Sequence, residues 1–267
     1  MFNGLIYRPL INVFLGAIPA IRCNLFFFKE KKKRISTTIG AKNKIHNMPL
    51  HKIITHDSST KIYIWKIEES FEDLFDEVVL NDINLIRLNT MKSEMHQRGF
   101  LSVRKLLQEA GYSDFDLHYG QDGKPHLKHS FEKNQNEKFI SISHSFEFST
   151  IIISEKPVGI DIELAKEKVL KIASRFMDIS HLEGLSEEEK IRKATVIWGI
   201  KESVFKIKNE KGISFPDHIF ENTFSLSDKR ATAQLSFNNL IESFDMFFEE
   251  IDSNNNQNYV LVYAFEK

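Results

Sequence analysis

Val158-Gly159-Ile160-Asp161-Ile162-Glu163 and, about forty residues on, Trp198-Gly199-Ile200-Lys201-Glu202-Ser203-Val204-Phe205-Lys206 decide how this chain is read. The first stretch alternates. Successive strand side chains point to opposite faces, so Val158, Ile160 and Ile162 share one face and Gly159, Asp161 and Glu163 share the other. Two carboxylates then stand side by side on a solvent-facing or cleft-facing surface. The second stretch has helical spacing. Trp198 and Phe205, seven apart, fit a core-facing stripe, and Glu202 brings a third carboxylate flanked by Lys201 and Lys206. Three acids and two ammonium groups converging on one point suit a hard divalent cation bound to a phosphate-bearing ligand. Magnesium takes one or two carboxylates, keeps several waters and completes its octahedron with phosphate oxygens.

Each part is ordinary by itself. An Asp-x-Glu strand is most often a solvated face, and Glu202 with Lys206 at i,i+4 is worth only about 0.2–0.5 kcal/mol. Two upstream segments change the weight of the pair: Gly123-Lys124-Pro125 and Ile140-Ser141-Ile142-Ser143-His144-Ser145. With all four in order, the chain resembles the 4'-phosphopantetheinyl transferases, in particular the long, monomeric Sfp-type branch. That family runs G-K-P, S-x-S-H-S, G-[IV]-D-[IV]-E and W-x-x-K-E-[SA]-x-x-K, and no chemical position is substituted here. The resemblance extends from about Met48 to the C-terminus.

The resemblance implies an α+β fold, the 4'-phosphopantetheinyl transferase fold, in which two similar α+β subdomains form a pseudo-dimer. Here these would be residues 48–157 and 158–267, with the site at their seam. It implies a magnesium-dependent holo-[acyl-carrier-protein] synthase type of reaction, as in fatty acid biosynthesis. The 4'-phosphopantetheine arm of coenzyme A passes to a serine of an apo acyl carrier protein or peptidyl carrier domain, and 3',5'-adenosine bisphosphate leaves. Asp161, Glu163 and Glu202 are the implied Mg2+ ligands. Glu202 is also a candidate general base, and the sequence leaves ligand, base or both open. Lys206 and Lys201 are the expected phosphate contacts. Ser143 and His144 are implied donors to the 3'-phosphate of coenzyme A, and Gly123, Lys124 and Pro125 lie against its adenine. Arg98 and Arg104, with Arg87 and Lys92 behind them, are the candidates for further cations at that phosphate. A catalytically silent module that binds coenzyme A or a carrier protein is the competing reading. Such relatives lose a metal ligand or the lysine, and this chain keeps them.

Composition sets wider bounds. A chain of 267 residues with 42% hydrophobic content can bury a real core and form two modest domains. A formal net charge of −1 supplies no basic field for nucleic acid. The single cysteine, Cys23, excludes an intramolecular disulfide framework and cysteine-ligated zinc, and a reducing, cytoplasmic setting is the simple reading. Residues 9–21 are apolar but too short to span a bilayer, and they lack the order of a signal peptide. Residues 1–47 are therefore read as an extension outside the folded domain, without stable membrane insertion, and Met48-Pro49-Leu50 as its start. A peripheral anchor and a cleaved signal are the alternatives.

From Met48 the pattern is mixed. Strands are expected over 61–67, 115–119, 139–143, 149–153, 158–164, 231–237, 244–251 and 259–265, with a final turn over 253–257. Helices are expected from Ser70, with Asp73 completing a capping box, to about residue 80, then over 83–110, closed by Gly111, and over 168–176 and 187–208. Gly199 costs its helix roughly 0.5–1 kcal/mol relative to alanine and does not touch the chemistry.

Overall fold

Alternation within β-strands sorts the apolar residues into three separate cores, and these define the layers. In the computed structural model, which describes residues 50–128, 138–253 and 257–267, β1 is Leu50–Thr55, β2 Lys61–Lys66, β3 Leu117–Tyr119, β4 Pro125–Leu127, β5 Lys138–Ser145 and β6 Phe148–Ser154. They form one antiparallel sheet ordered β1-β2-β6-β5-β4-β3. The strands β7 (Val158–Leu164), β8 (Ile219–Glu221), β9 (Arg230–Phe237), β10 (Leu240–Asp252) and β11 (Asn258–Glu266) form a second, ordered β7-β11-β10-β9-β8. The chain changes sheets at the turn through Lys156 and Pro157.

Helices α1 (Phe71–Glu77), α2 (Asp82–Thr90) and α3 (Glu94–Glu109) belong to the first sheet. Leu74, Leu88, Leu101, Leu106 and Leu107 pack there against Trp65, Ile140 and Ile151. The long helix α4 (Glu187–Lys208) covers one face of the second sheet, with Ile197, Ile200 and Val204 against Phe244, Met246 and Val262. Between the two sheets lies a third core that joins Ile62, Ile64 and Ile152 to Ile160, Ile162 and Leu261. The described part is thus a single α+β body with helix, sheet, sheet and helix in layers.

Local signals explain the elements. The hydroxyl of Ser70 accepts from the Asp73 amide at 3.1 Å and caps α1, and Ser186 with Glu189 closes a full capping box on α4. Gly111, at φ +84°, follows the end of α3 in the left-handed conformation that stops helices. The single helix expected over 83–110 is instead two, α2 and α3, interrupted at Met91 to Ser93. The 167–175 segment is a 3-10 helix. Part of the 253–257 turn and all of residues 1–47 lie outside the described residues. Among the described residues, no helix is long and apolar enough to cross a membrane.

Two glycines let α4 lie close on its sheet. A Cβ on Gly199 would come within 2.4 Å of Val262 Cγ2 on β11, and one on Gly159 within 1.9 Å of the Ser203 carbonyl oxygen. The helical cost of Gly199 is offset by this approach. Ser203 adds a tie across the same seam, its hydroxyl donating to the Val262 carbonyl at 3.2 Å.

Candidate active site

Because β7 is an edge strand, half of its backbone groups have no ladder partner on the outer side. Side chains serve instead. The Ser141 hydroxyl accepts from Ile160 N at 3.1 Å and the Ser143 hydroxyl from Ile162 N at 3.3 Å, while Lys206 Nζ donates to the Ile160 carbonyl at 2.8 Å. The serines alternate along β5, so all three reach towards β7. Ser143 also donates to Asp161 Oδ1 at 2.9 Å, and Ser145 to Glu163 Oε2 at 2.9 Å.

Asp161 is the centre of the cluster. It is 3% exposed, and Lys206 Nζ stands 2.8 Å from its Oδ1. Its second oxygen, Oδ2, is buried without a hydrogen-bond partner. Leaving a buried carboxylate oxygen unmet is costly. Glu163 lies two residues along the same face, and Glu202 approaches from α4. Burial first, then the Asp161 charge, pushes the Glu163 carboxyl up to about 8, against the pull of Ser145 and Lys206. The same two causes push Glu202 up to about 7, with Lys206 opposing. Burial alone would lower Lys206, but Asp161 and then Glu202 more than offset it and hold its pKa above the ordinary lysine value. The site therefore carries more negative charge than one ammonium group neutralises.

That imbalance bears on a metal. Among the described residues, no three carboxylate, imidazole or thiol groups stand close enough together to hold an ion as they are. The donor chemistry nonetheless fits a hard cation. All the candidates are carboxylate oxygens, one of them orphaned, and two carboxyls are held above their ordinary range by burial and then by the Asp161 charge.

The remaining expected residues divide. His144 lies beside the carboxylates, its ring backed by Gly99, where a Cβ would sit 3.6 Å from His144 Cγ, and by His96 at a centroid distance of 6.4 Å. Burial, then His96 and Lys206, hold its pKa below the usual imidazole value, with Asp161 opposing. The Gly123-Lys124-Pro125 loop reaches the end of α4. Lys124 Nζ donates to the Ile207 carbonyl, and Asn209 Nδ2 to the Asp122 carbonyl at 3.2 Å. Gly123, at φ +80°, permits the turn.

Two expected cations are corrected. Lys201 is 2% exposed and faces away from the carboxylates. It forms a 2.5 Å ion pair with Glu221 and donates to the Ile219 carbonyl, while His181 Nδ1 meets the other Glu221 oxygen at 3.1 Å. Consecutive helix residues do not share a face, so Lys201 braces α4 against β8. Arg104 is 2% exposed, paired with Asp114 at 2.9 Å and stacked 3.5 Å from the Phe100 ring centroid, so it is a core residue. Arg98 is half-buried and donates to the Ile67 carbonyl at 3.1 Å. Arg87 lies over Tyr119 at 5.2 Å, and Lys92 is exposed. Sequence reasoning assigned no role to Ser141 or Ser145; their alternation with Ser143 was the available signal.

Residues 157–264 match the family model of the 4'-phosphopantetheinyl transferase superfamily. A curated relative, 4'-phosphopantetheinyl transferase gsp of Aneurinibacillus migulanus, is 34% identical over 157 residues, which are 58% of this chain and 54% of the relative. The chain thus spans about half the length of the curated relative it matches. The acidic strand β7 and the lysine-bearing helix α4 both fall within the span that is similar to the 4'-phosphopantetheinyl transferase superfamily.

Proposed function

We propose that this protein transfers the 4'-phosphopantetheine moiety of coenzyme A to a serine hydroxyl of an apo carrier protein or domain. The observation that carries the reading is the buried Asp161 carboxylate. Ser143 and Lys206 hold one of its oxygens, the other is unpartnered, and two further carboxyls with raised pKa values face it. In the reaction the serine oxygen bonds to the β-phosphorus of coenzyme A as the bond to the adenosine bisphosphate oxygen breaks. Asp161, Glu163 and Glu202 are the residues that would hold Mg2+, which when bound neutralises pyrophosphate charge and helps align the phosphate. Lys206 supplies a fixed positive charge beside the phosphate. Glu202, with its carboxyl near 7, is suited to accept the serine proton at neutral pH. His144 offers a donor for an anionic phosphate, and the loop at Gly123 to Pro125 can receive the adenine. The two similar halves, 48–157 and 158–267, form the pseudo-dimer of this reading, and the protein acts as a cytoplasmic monomer.

The test is intact-mass measurement of an apo acyl carrier protein incubated with the protein and coenzyme A, with magnesium or with EDTA. A carrier heavier by one phosphopantetheine group in the magnesium sample alone is the expected result. Coenzyme A binding without any mass shift across several apo carriers would replace the transferase with a silent binding module.

A further inference from the structure

Where the start of α4 meets the end of β7 and the start of β11, a cleft of about 320 Å3 opens in the surface. None of its lining residues belongs to the acidic cluster. Arg192 precedes Glu202 by ten residues on α4, about 15 Å along the helix axis. Small-molecule sites range over roughly 300–1,000 Å3, with mostly apolar walls and a few placed polar groups. Leu164, Ala165 and Ile191 provide the apolar part here. Asn258, whose carbonyl accepts from Ala165 N at 2.9 Å, fixes one wall.

Two lining side chains on one face of α4, Glu188 and Arg192 at i,i+4, are short of partners. Arg192 Nη1 stands 3.2 Å from Glu250 Oε1, but its Nε is buried without a hydrogen-bond partner. That N–H lies on the edge of the guanidinium that holds a carboxylate by two parallel hydrogen bonds. Glu188 differs from the acids on either side of it. Glu187 is paired with Lys190 at 2.7 Å, and Glu189 accepts from the Ser186 hydroxyl at 2.6 Å. Glu188 is exposed and, among the described residues, has no ion-pair partner. An unmet cationic donor and an unmet carboxylate therefore border the same apolar cleft. Charge decides what fits between them. Lys166 and Arg192 balance Glu188 and Glu250, so the surroundings favour a ligand without net charge. Lys166 Nζ is turned to the Phe146 ring, 3.9 Å from its centroid, which leaves Arg192 to meet an anionic group.

We propose that this cleft binds a free α-amino acid with an apolar side chain, its carboxylate on Arg192 and its ammonium on Glu188. Leu164, Ala165 and Ile191 receive the side chain, and the small volume sets its size near that of leucine or valine. The inference is independent of the transfer reaction and of both its substrates.

The test is a titration of the full-length, 15N-labelled protein with L-leucine, followed by amide shifts in the NMR spectrum. Two analogues, 4-methylpentanoate without the ammonium and isopentylamine without the carboxylate, are titrated in parallel. Saturable shifts at the Leu164, Ala165, Ile191 and Asn258 amides are expected with L-leucine, and each analogue binds about tenfold or more weakly. Arg192→Gln and Arg192→Lys both weaken L-leucine about tenfold or more, since lysine keeps the charge and loses the fork. Glu188→Gln weakens L-leucine and leaves 4-methylpentanoate unchanged. Melting curves show that each variant is folded. A ligand of this size reaches a Kd on the order of 1 mM, so no saturable shift up to about 20 mM L-leucine overturns the proposal. Equal binding of either analogue, or an unchanged L-leucine Kd in folded Arg192→Gln, overturns it as well.

Discussion

Substituting Gly159 by alanine tests whether the packing of α4 on β7 sets the geometry of the site. The added Cβ would lie 1.9 Å from the Ser203 carbonyl oxygen, 2.8 Å from its carbon and 3.1 Å from its Cα. Close carbon-to-oxygen contacts lie at about 3.3–3.6 Å, so roughly 1.4 Å of clearance must be found. The obstacle is helix backbone, and no side chain can rotate away to relieve it. Strand and helix must separate, carrying Asp161 and Glu163 away from Glu202 and Lys206. Overpacking of this kind costs about 1–3 kcal/mol and occasionally more, and a misplacement of about 1 Å can lower a rate about 10²-fold. We expect Gly159→Ala to lose stability in urea denaturation and to lower kcat/KM for carrier modification about 100-fold. Gly111→Ala is the control. It has nothing within 4 Å of the new Cβ but a φ of +84°, so it loses roughly 1–2 kcal/mol through backbone strain and keeps its specific activity. Wild-type transfer kinetics in Gly159→Ala would refute the reasoning, because the clash could not then have been relieved at the site's expense.

Asp161→Asn keeps the size of the side chain and removes the charge at the centre of the cluster, so magnesium-dependent transfer should fall by about 10²-fold or more, measured by carrier mass shift; near-normal turnover would remove Asp161 from the site. Lys201→Ala leaves Glu221 buried without its cation and should cost about 3–5 kcal/mol in chemical denaturation, with Lys201→Met/Glu221→Leu recovering most of it. A lost rate at unchanged stability would instead return Lys201 to the phosphate. In EDTA, Glu163 and Glu202 hold their protons more tightly folded than unfolded, so their contribution is full below about 4.5 and is lost as pH rises through about 7 and 8. The Tm should therefore fall between pH 6.5 and 8.5, a window above the depressed pKa of His144, and Glu163→Gln should flatten the slope. A Tm that rises over this interval contradicts the raised carboxyls.

The strand β7 and helix α4 were legible because their signals are local. Alternation placed Asp161 and Glu163 on one face, and the seven-residue spacing of Trp198 and Phe205 marked the core-facing stripe of α4. Lys201 was misread because a motif records adjacency along the chain, whereas the face of a helix is settled by its partners. Glu221 lies twenty residues downstream in a three-residue strand that carries no pattern of its own. Arg104 failed differently. It falls on the same helical stripe as Phe100, Leu101 and Leu107, so its burial was readable from spacing, although its partner Asp114 was not. The break between α2 and α3 escaped because Met91 to Ser93 contain neither glycine nor proline. Gly159 and Gly199 looked like missing side chains. Their meaning lies in the distance between two elements, which no one-dimensional pattern encodes.

The serine hydroxyls along β5 have a consequence for how the molecule avoids aggregation. They complete β7 sideways, and a hydroxyl fills the place of a neighbouring strand at both Ile160 and Ile162. A transient parting of the two sheets would expose those amides together with an apolar strand face, the template onto which a foreign strand can add. Hydrogen exchange at these two amides would report the parting long before global unfolding. The residues that orient the acidic cluster are thus also the guards of the sheet's open edge.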